Sequence, residues 1–252
     1  MLNAAVSDAG IQKKINQDAV IVKETTTDGG DIMFAAVCDG MGGHTNGEVA
    51  SAEAVSHLDS WFDRILPHIL ETGITNASFK RSMTGNIVEV NDKIVGFGKS
   101  RGECGTTLSG VLLYNGHYAC VNVGDSRVYH LHKGSLRQIT HDQSLVQHMV
   151  DNFEITEEEA KTHPKRNVLL QCIGIDGDVI PAYTFGSYED DDVFVICSDG
   201  FRHKLEKKEI KELFLPEELT SESKMKEQAL KGVQINKDRN ETDNISVIVI
   251  KT

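Results

Sequence analysis

Four aspartates stand next to apolar, strand-like runs, and this placement constrains the chain more than any other feature of its sequence. They are Asp39 after FAAVC, Asp125 after VNVG, Asp199 after VFVICS, and Asp243 before NISVIVI. In an antiparallel sheet the end of one strand lies beside the start of its neighbour, so Asp39 and Asp199 at strand ends and Asp243 at a strand start are expected to converge on one edge of a sandwich. Asp-Gly pairs are also common turn sequences, and for Asp39 or Asp199 alone that simpler interpretation stays open.

Carboxylates gathered at one edge would repel one another and raise each other's pKa unless a cation kept them ionised. The ligands would be oxygen atoms, and the sequence shows no histidine or cysteine at ligand spacing with them. A hard divalent ion suits such a site, which favours Mg²⁺ or Mn²⁺ over Zn²⁺.

Apolar runs along the chain have the length and the β-branched composition of strands. They are Ala19 to Val22, Ile32 to Cys38, Leu108 to Leu113, Tyr118 to Val123, Val128 to Leu131, Val193 to Cys197 and Ile245 to Ile250. Asn115-Gly116 lies between two of them and supplies the two positive-φ residues of a tight turn. This predicts an antiparallel hairpin.

Two further segments carry apolar residues three and four positions apart, which is typical of helices that cover a sheet. One contains Leu58 and Trp61, and the other contains Met83 and Ile87. Strands in consecutive groups, with helices grouped apart from them, predict antiparallel sheets covered by helices, an α+β fold. The polar, histidine-rich segment from Thr140 to Pro181 is interpreted as an insertion near the site.

Composition excludes several classes of protein. The net charge is 26 − 38 = −12, which argues against a nucleic-acid partner whose phosphates the protein would have to neutralise. The longest apolar run has seven residues, whereas a membrane-spanning helix needs about 20. The N-terminus shows no secretory signal, and the five cysteines include no CxxC pair. We therefore expect a cytoplasmic, monomeric protein with reduced thiols and no membrane contact.

Eight motifs in order connect the chain with a known family. They are SDAGIQKKINQD, VCDGMGGHTNGEVAS, GTTL, VGDSRVY, ITHDQSLVQHMV, HPKRNVLLQCIG, CSDG and DNISVIV. In these motifs the chain resembles bacterial metal-dependent Ser/Thr protein phosphatases of the protein phosphatase 2C type. The resemblance implies a sandwich of two antiparallel sheets flanked by helices, forming one catalytic domain over residues 1–252 with a flap-like insertion at about 140–181.

The resemblance also implies a metal centre with two Mn²⁺ or Mg²⁺ ions. Asp39 would bridge the two ions, Asp199 and Asp243 would complete the first, and the carbonyl group of Gly40 would reach the second. Asp125 would serve a third, weaker ion together with Asp199. A simpler interpretation of Asp125 is that it caps its turn or pairs with the nearby arginine of GDSR.

Two further residues receive roles from the same resemblance. Asp18 would act through metal-bound water, and Lys13 would bind the substrate phosphate at a position where the family usually has arginine. An ammonium group lacks the planar fork of a guanidinium, so we expect weaker phosphate binding. The basic residues Arg202 to Lys204 are interpreted as a solvated loop or helix start, with a phosphate-attracting rim as the alternative.

The implied activity is hydrolysis of phosphoserine and phosphothreonine in proteins by a metal-activated water. The partners would be phosphorylated proteins, the targets of a bacterial Ser/Thr kinase that the enzyme opposes. A catalytically weak, phosphoprotein-binding module on the same fold is the alternative. His44 and His163 are interpreted as structural residues.

Overall fold

The computed structural model of the chain describes residues 1–42 and 46–252. Its strands form two antiparallel sheets that pack face to face, and helices cover both outer faces. The predicted α+β sandwich is confirmed, and each predicted apolar run lies inside a strand. His44 lies outside the described residues.

One sheet, sheet I, contains both ends of the described chain. Its strands are β1 (Leu2–Asp8), β7 (Arg127–His132), β8 (Ser135–Gln138), β10 (Val193–Cys197) and β11 (Ile245–Lys251). Their order across the sheet is β1-β11-β10-β7-β8, with antiparallel neighbours throughout.

The other sheet, sheet II, carries the long strand that holds the first of the four aspartates. Its strands are β2 (Asp18–Thr27), β3 (Gly30–Gly42), β5 (Leu108–Tyr114), β6 (His117–Val123) and β9 (Ala182–Ser187), and β4 (Cys104–Thr106) pairs with the end of β3. Their order is β2-β3-β5-β6-β9. Asn115 and Gly116 join β5 and β6 with φ angles of 46° and 73°, as the predicted hairpin requires.

The helices divide into two covering layers and one connecting segment. The helices that cover sheet II are α1 (Gly47–Arg64), α2 (Leu66–Glu71) and α3 (Asn76–Arg101). The helices that cover sheet I are α6 (Asp199–Arg202), α7 (Lys207–Leu213) and α8 (Glu222–Asp238). The connection between β8 and β9 contains α4 (Leu145–Asp151) and α5 (Glu157–Thr162). A short 3₁₀ helix spans Pro216–Glu218. The Trp61 ring packs 5.4 Å from Phe34 of β3 and 5.8 Å from Phe79 of α3, measured between ring centroids.

The interior between the sheets is apolar and closed. Met33, Val37, Leu113, Phe194 and Ile248 all have 1% or less of their surface exposed and belong to one contact cluster. Burying such side chains contributes roughly 1.5–3 kcal/mol each, so this layer holds the two sheets in a fixed relation. The site at their edge therefore rests on a rigid base.

Several elements escaped the sequence patterns. β1 and β9 are mostly half-buried, and β8 has only four residues, so their alternation is weak. α8 buries only a narrow stripe that includes Met225, Ala229 and Val233, within a strongly polar sequence.

The position of Asp39 also corrects the sequence prediction. Asp39 lies inside β3 and not at its end, because β4 pairs with Gly40, Met41 and Gly42 and extends the strand. Thr107 fixes the main chain at Asp39 through two hydrogen bonds. The Thr107 N–H donates to the Asp39 carbonyl at 2.9 Å, and the Thr107 hydroxyl oxygen accepts the Asp39 N–H at 3.0 Å.

None of the helices in the described part of the chain has both the length and the apolar character needed to cross a bilayer.

Candidate active site

The first part of the site joins the two sheets. Asp18 begins β2 directly opposite Asp39 of β3. Ser198, which follows β10 of the other sheet, donates its hydroxyl to Asp18 Oδ2 at 2.9 Å. The other oxygen, Asp18 Oδ1, is buried and has no hydrogen-bond partner among the described residues. A buried acceptor without a partner is costly, so this oxygen marks a place for a water or a ligand.

The second part brings Asp199 next to Asp243. Asp199 is the first residue of α6, and Asp243 lies two residues before β11, as the sequence predicts. Gly200 makes this approach possible, because a Cβ atom at that position would lie 2.1 Å from the carbonyl oxygen of Asn244. Asp199 Oδ1 is also buried with no hydrogen-bond partner in residues 1–42 and 46–252.

Gly40 follows Asp39 in a similarly crowded place. Its N–H donates to the Gln17 carbonyl at 3.1 Å, and an added Cβ would lie 2.2 Å from the carbonyl oxygen of Gly47. Only glycine lets the strand pass so close to the first turn of α1. The predicted role of the Gly40 carbonyl as a ligand stays a prediction.

Lys13 lies at the rim of the site. Its Nζ is 3.1 Å from Asp243 Oδ1, and 42% of its side chain is exposed. The loop that carries it is fixed by Asn244, whose amide group donates to the carbonyls of Ala9 and Ile15. The predicted phosphate-binding residue is therefore beside the carboxylates and open to solvent.

Asp125 lies in the turn between β6 and β7, where its carboxylate faces a guanidinium. Arg202 donates to the Asp125 carbonyl at 3.0 Å and to its Oδ2 at 3.2 Å, and it approaches Asp142 Oδ2 at 3.4 Å. Arg127 instead forms a bidentate pair with Asp142, with N···O distances of 2.8 Å.

Two interpretations from the sequence are corrected by these contacts. Arg202 is not part of a solvated loop, since only 13% of its side chain is exposed and it ends α6. Asp125 does not pair with Arg127, because that guanidinium is engaged by Asp142. The partners of Arg202 are 77 and 60 residues away in sequence, so no local pattern could have indicated its burial.

The pKa values of four aspartates of the site, Asp18, Asp39, Asp125 and Asp199, are raised. Burial is the largest cause in each case, and it raises the pKa of Asp18 to about 7 and those of Asp125 and Asp199 to about 6. Neighbouring carboxylates add to the rise, and burial together with the charges of Asp18 and Asp199 holds the pKa of Asp39 well above its ordinary value. Asp243 contributes to the rise at Asp18, Asp39 and Asp199.

The donor set fits a hard divalent cation. It consists of carboxylate oxygens, two of which are buried without a hydrogen-bond partner in the described chain, and their mutual repulsion would be relieved by positive charge. Asp18, Asp39, Asp199 and Asp243 are the residues that could hold such ions.

The sequence patterns gave no role to one residue of the site, Glu241, and interpreted another, His203, as part of a solvated loop or helix start. Glu241 is buried and accepts the N–H groups of Thr242 and Asp243 at 2.8 and 3.1 Å, which fixes the main chain at Asp243. His203 lies 3.5 Å from Asp199 Oδ2 and 3.7 Å from Glu241 Oε2. Burial lowers the pKa of His203 to about 4, so its imidazole is neutral at pH 7. His203 follows Asp199 by four residues, and this helical spacing is the sequence signal that could have placed the two side chains together.

A cleft of about 740 Å³ opens beside Asp125 and Arg202 and is lined on its other side by the segment between β8 and β9. Gln147, Lys161 and Arg166 of that segment face it. The far end of the segment is tied to the body of the protein by paired main-chain hydrogen bonds between Thr106 and Ile173, at 2.8 and 2.9 Å. His163 also lies in the segment and accepts the Lys165 N–H, which is a structural contact.

Comparison with known proteins agrees with this geometry. The family model described as "Protein phosphatase 2C" matches residues 10–233. The serine/threonine phosphatase stp of Listeria welshimeri is 32% identical over 219 residues, which cover 85% of this chain and 82% of that protein. The crystal structure of the serine/threonine phosphatase Stp1 from Staphylococcus aureus superposes with a TM-score of 0.84 at 29% identity, covering 100% of this chain and 95% of that one.

A third similar structure contains metal. The catalytic domain of the serine/threonine protein phosphatase PstP, in complex with two manganese ions, has a TM-score of 0.75 at 28% identity and covers 98% of this chain and 96% of that one. The chain belongs to the protein phosphatase 2C family. The family, the fold and the enzyme class predicted from the sequence, a metal-dependent protein-serine/threonine phosphatase, are confirmed.

Proposed function

We propose that this phosphatase binds two Mn²⁺ or Mg²⁺ ions through Asp39, Asp199, Asp243 and the Gly40 carbonyl, and that it removes phosphate from phosphoserine and phosphothreonine in the targets of a bacterial Ser/Thr kinase. One observation carries the proposal: the carboxylates converge, and two of their oxygens, Asp18 Oδ1 and Asp199 Oδ1, are buried without a hydrogen-bond partner among the described residues. When bound, the ions would supply positive charge to the phosphoryl oxygens and acidify the attacking water.

The chain's own residues position the reaction. Asp18 Oδ1, the free oxygen of a carboxyl that Ser198 holds in place, accepts a hydrogen bond from the attacking water and orients it. The water oxygen forms a bond to phosphorus while the bond between phosphorus and the serine or threonine oxygen breaks. The attacking water gives up one proton, and the departing oxygen takes up one proton from solvent, so that the products are inorganic phosphate and the free hydroxyl. Lys13, exposed at the rim, attracts the substrate phosphate as a point charge.

The segment between β8 and β9 selects the substrate in this proposal. It lines the cleft that opens beside Asp125 and Arg202, and Lys161 and Arg166 give it positive charge. Loops fixed beside a rigid site commonly carry specificity, and this segment is anchored at Thr106. The monomeric state and the cytoplasmic location predicted from the sequence belong to the same proposal.

A third, weaker ion at Asp125 has a competitor within the chain. The Arg202 guanidinium already contacts the Asp125 carboxylate and carbonyl, so an ion there must share or displace a positive charge. We therefore expect any third ion to bind much more weakly than the other two.

The test is a chelation and rescue assay with two substrates, p-nitrophenyl phosphate and a phosphothreonine peptide. Metal-free protein should be inactive on both, and added Mn²⁺ or Mg²⁺ should restore both activities, because water is too weak a nucleophile at neutral pH without an acidifying ion. Arg166→Ala should then reduce peptide turnover more than p-nitrophenyl phosphate turnover. Full activity in excess chelator would refute the proposed metal centre, and equal losses in the variant would refute the role of the segment.

A further inference from the structure

A second group of metal-ligating side chains lies at the far end of sheet I. His130 and His132 are two residues apart on β7, so both face the interior between the sheets. Asp192 directly precedes β10, opposite them. The His130 Nε2 atom is 2.8 Å from Asp192 Oδ2, and the His132 Nδ1 atom is 2.9 Å from Asp192 Oδ1. One ligand atom from each residue lies within 4.8 Å of the others.

This group is separate from the acidic site. Arg127, which contacts Asp142 beside the phosphatase centre, stands at the other end of the same strand. Five residues of extended strand span about 16 Å at roughly 3.3 Å per residue. An ion bound by His132 would therefore take no part in the chemistry at Asp39.

Two members of the group carry the net charge that a metal site needs. Burial lowers the pKa of His130, which leaves its imidazole neutral at pH 7. Burial raises the pKa of Asp192, but hydrogen bonds from the Glu189 N–H and from the two histidines outweigh it, and the net shift is downward. His130 Nε2 donates to the ionised Asp192 in the metal-free protein, so ion binding would move this proton to Nδ1, and the neutral imidazole loses no net proton.

The surroundings supply support, space and access. The His130 ring stacks on Phe194 at a centroid distance of 4.4 Å, and the Glu189 N–H donates to Asp192 Oδ2 at 3.0 Å. A cleft of about 420 Å³, lined by both histidines and by Arg137, opens beside the group. It has room for water ligands and for the entry of an ion, and His132, with 39% of its side chain exposed, borders it.

We propose that His130, His132 and Asp192 form a second metal site, selective for Zn²⁺ and related ions over Mg²⁺. Two imidazole nitrogens and one carboxylate oxygen suit Zn²⁺, Co²⁺, Ni²⁺ and Cu²⁺, whereas Mg²⁺ prefers oxygen ligands. Ligand atoms about 2.0–2.1 Å from a tetrahedral ion lie roughly 3.3 Å apart, so the present contacts of 2.8 and 2.9 Å need open only by a few tenths of an ångström. The half-exposed His132 can make that movement.

The bound ion would fasten the segment between β9 and β10 to β7. Without an ion the same three residues form a closed set of hydrogen bonds, which is the competing explanation of their geometry. The two explanations differ in whether the free protein takes up a nitrogen-seeking ion at this place.

The test is titration of metal-free protein with Co²⁺, whose visible d–d absorption reports the ligand geometry. Excess Mg²⁺ is present throughout to occupy the carboxylates of the phosphatase centre. We expect one Co²⁺ to bind with the intense visible bands of a four- or five-coordinate, nitrogen-ligated ion, and Zn²⁺ to bleach them. His132→Ala should weaken this binding at least about 100-fold, since loss of a ligand should cost no less than the 10–100-fold loss caused by removing an outer-shell partner.

Two controls make the result decisive. His68→Ala removes an exposed histidine on α2, away from the group, and should leave the titration unchanged. Asp39→Asn should weaken Mn²⁺ binding at the phosphatase centre but keep the Co²⁺ bands. Circular dichroism checks folding, and His132→Gln replaces His132→Ala if the alanine variant unfolds. No Co²⁺ bands in the wild type, or bands that survive loss of His132, would overturn the proposal.

Discussion

The phosphatase centre has two parts that neutralise their carboxylates differently. The metal half contains Asp18, Asp39, Asp199 and Asp243, and the arginine half contains Asp142 with Arg127 and Arg202. In the metal half, Asp18 and Asp39 face other carboxylates, and their pKa values are raised. In the arginine half, Asp142 is just as buried, yet Arg202 and Arg127 outweigh the effect of burial and lower its pKa. Burial alone therefore does not create a demand for metal. The demand is greatest at Asp18 and Asp39, which have no cationic partner among the described residues, whereas Lys13 reaches only Asp243 at the rim.

Asp125 lies between the two halves and shows both influences. Burial and the charge of Asp199 raise its pKa, while Arg202 lowers it, and the result is about 6. Its environment is therefore intermediate, which agrees with a position that binds an ion weakly. Removing charge from one half at a time should separate the two effects.

Asp39→Asn should give the largest effect, because Asp39 lies among the carboxylates of the metal half. We expect turnover of both substrates to fall at least about 10³-fold, comparable with the loss of a central transition-state contact. The metal-free variant should also melt at a higher temperature than metal-free wild type, since one repelling buried charge is gone. Steady-state kinetics and thermal melting check both points.

Asp28→Asn is the matched control, since Asp28 is exposed in the turn between β2 and β3. Asp28→Asn should change neither the turnover nor the melting temperature of the metal-free protein. Wild-type turnover in Asp39→Asn at saturating Mn²⁺ would remove Asp39 from the site.

Arg202→Met should damage the arginine half. It leaves Asp125 and Asp142 short of a positive charge in a buried place, where breaking one partner of an ion pair costs about 3–5 kcal/mol of folding stability. Added Mn²⁺ should raise the free energy of unfolding more in this variant than in wild type, because the Asp125 carboxylate becomes available to an ion. Denaturant unfolding with and without Mn²⁺ measures this.

Arg239→Met tests the contrast with a surface pair. Arg239 binds Glu209 through two hydrogen bonds in an exposed place, where ion pairs contribute little. Its loss should hardly change the unfolding midpoint. If both arginine variants lost stability equally, the special role of buried compensation would be wrong.

The pH dependence of stability should differ between metal-free and metal-loaded protein. The folded-state pKa values of Asp18, Asp125 and Asp199 are raised, and these three groups, together with Asp39, outweigh the lowered pKa values of His203 and His130, so the folded state binds more protons than the unfolded state between about pH 4 and 7. Metal-free protein should therefore become less stable as the pH rises through this window. Bound Mn²⁺ should flatten or reverse the trend, because it stabilises the ionised form. Melting curves across the window that showed rising stability without metal would contradict the assigned charges.

Lys13→Ala should have the smallest effect. Loss of a charged contact at an exposed position should raise KM for the phosphopeptide up to about 10-fold, while Lys13→Arg should preserve or improve it. Lys14→Ala, a change at the next exposed lysine, is the matched control. An unchanged kcat/KM in Lys13→Ala would make Lys13 an ordinary surface residue.

The parts of this protein that the sequence predicts are those with local signals. The apolar runs located the main strands and thus placed Asp39, Asp199 and Asp243 together, because strand direction and register follow from short patterns. Arg202 was misjudged because its burial depends on Asp125 and Asp142, which are far away in sequence.

The histidine group shows the same limit of local reasoning. His130 and His132 alternate along one strand, but their shared partner Asp192 is about 60 residues away in sequence. The alternation by itself is common in strands and indicates no ligand. Only the pairing of β7 with β10 brings the third side chain to them.

If divalent cations complete the metal half, metal-free protein should bind a fixed number of Mn²⁺ ions per chain. Electron paramagnetic resonance of free Mn²⁺ during titration of metal-free protein gives the number bound per chain. We predict two ions in wild type and in Asp28→Asn, with binding strongly weakened in Asp39→Asn. Failure of the wild type to bind Mn²⁺, or equal binding in Asp39→Asn, would contradict the claim.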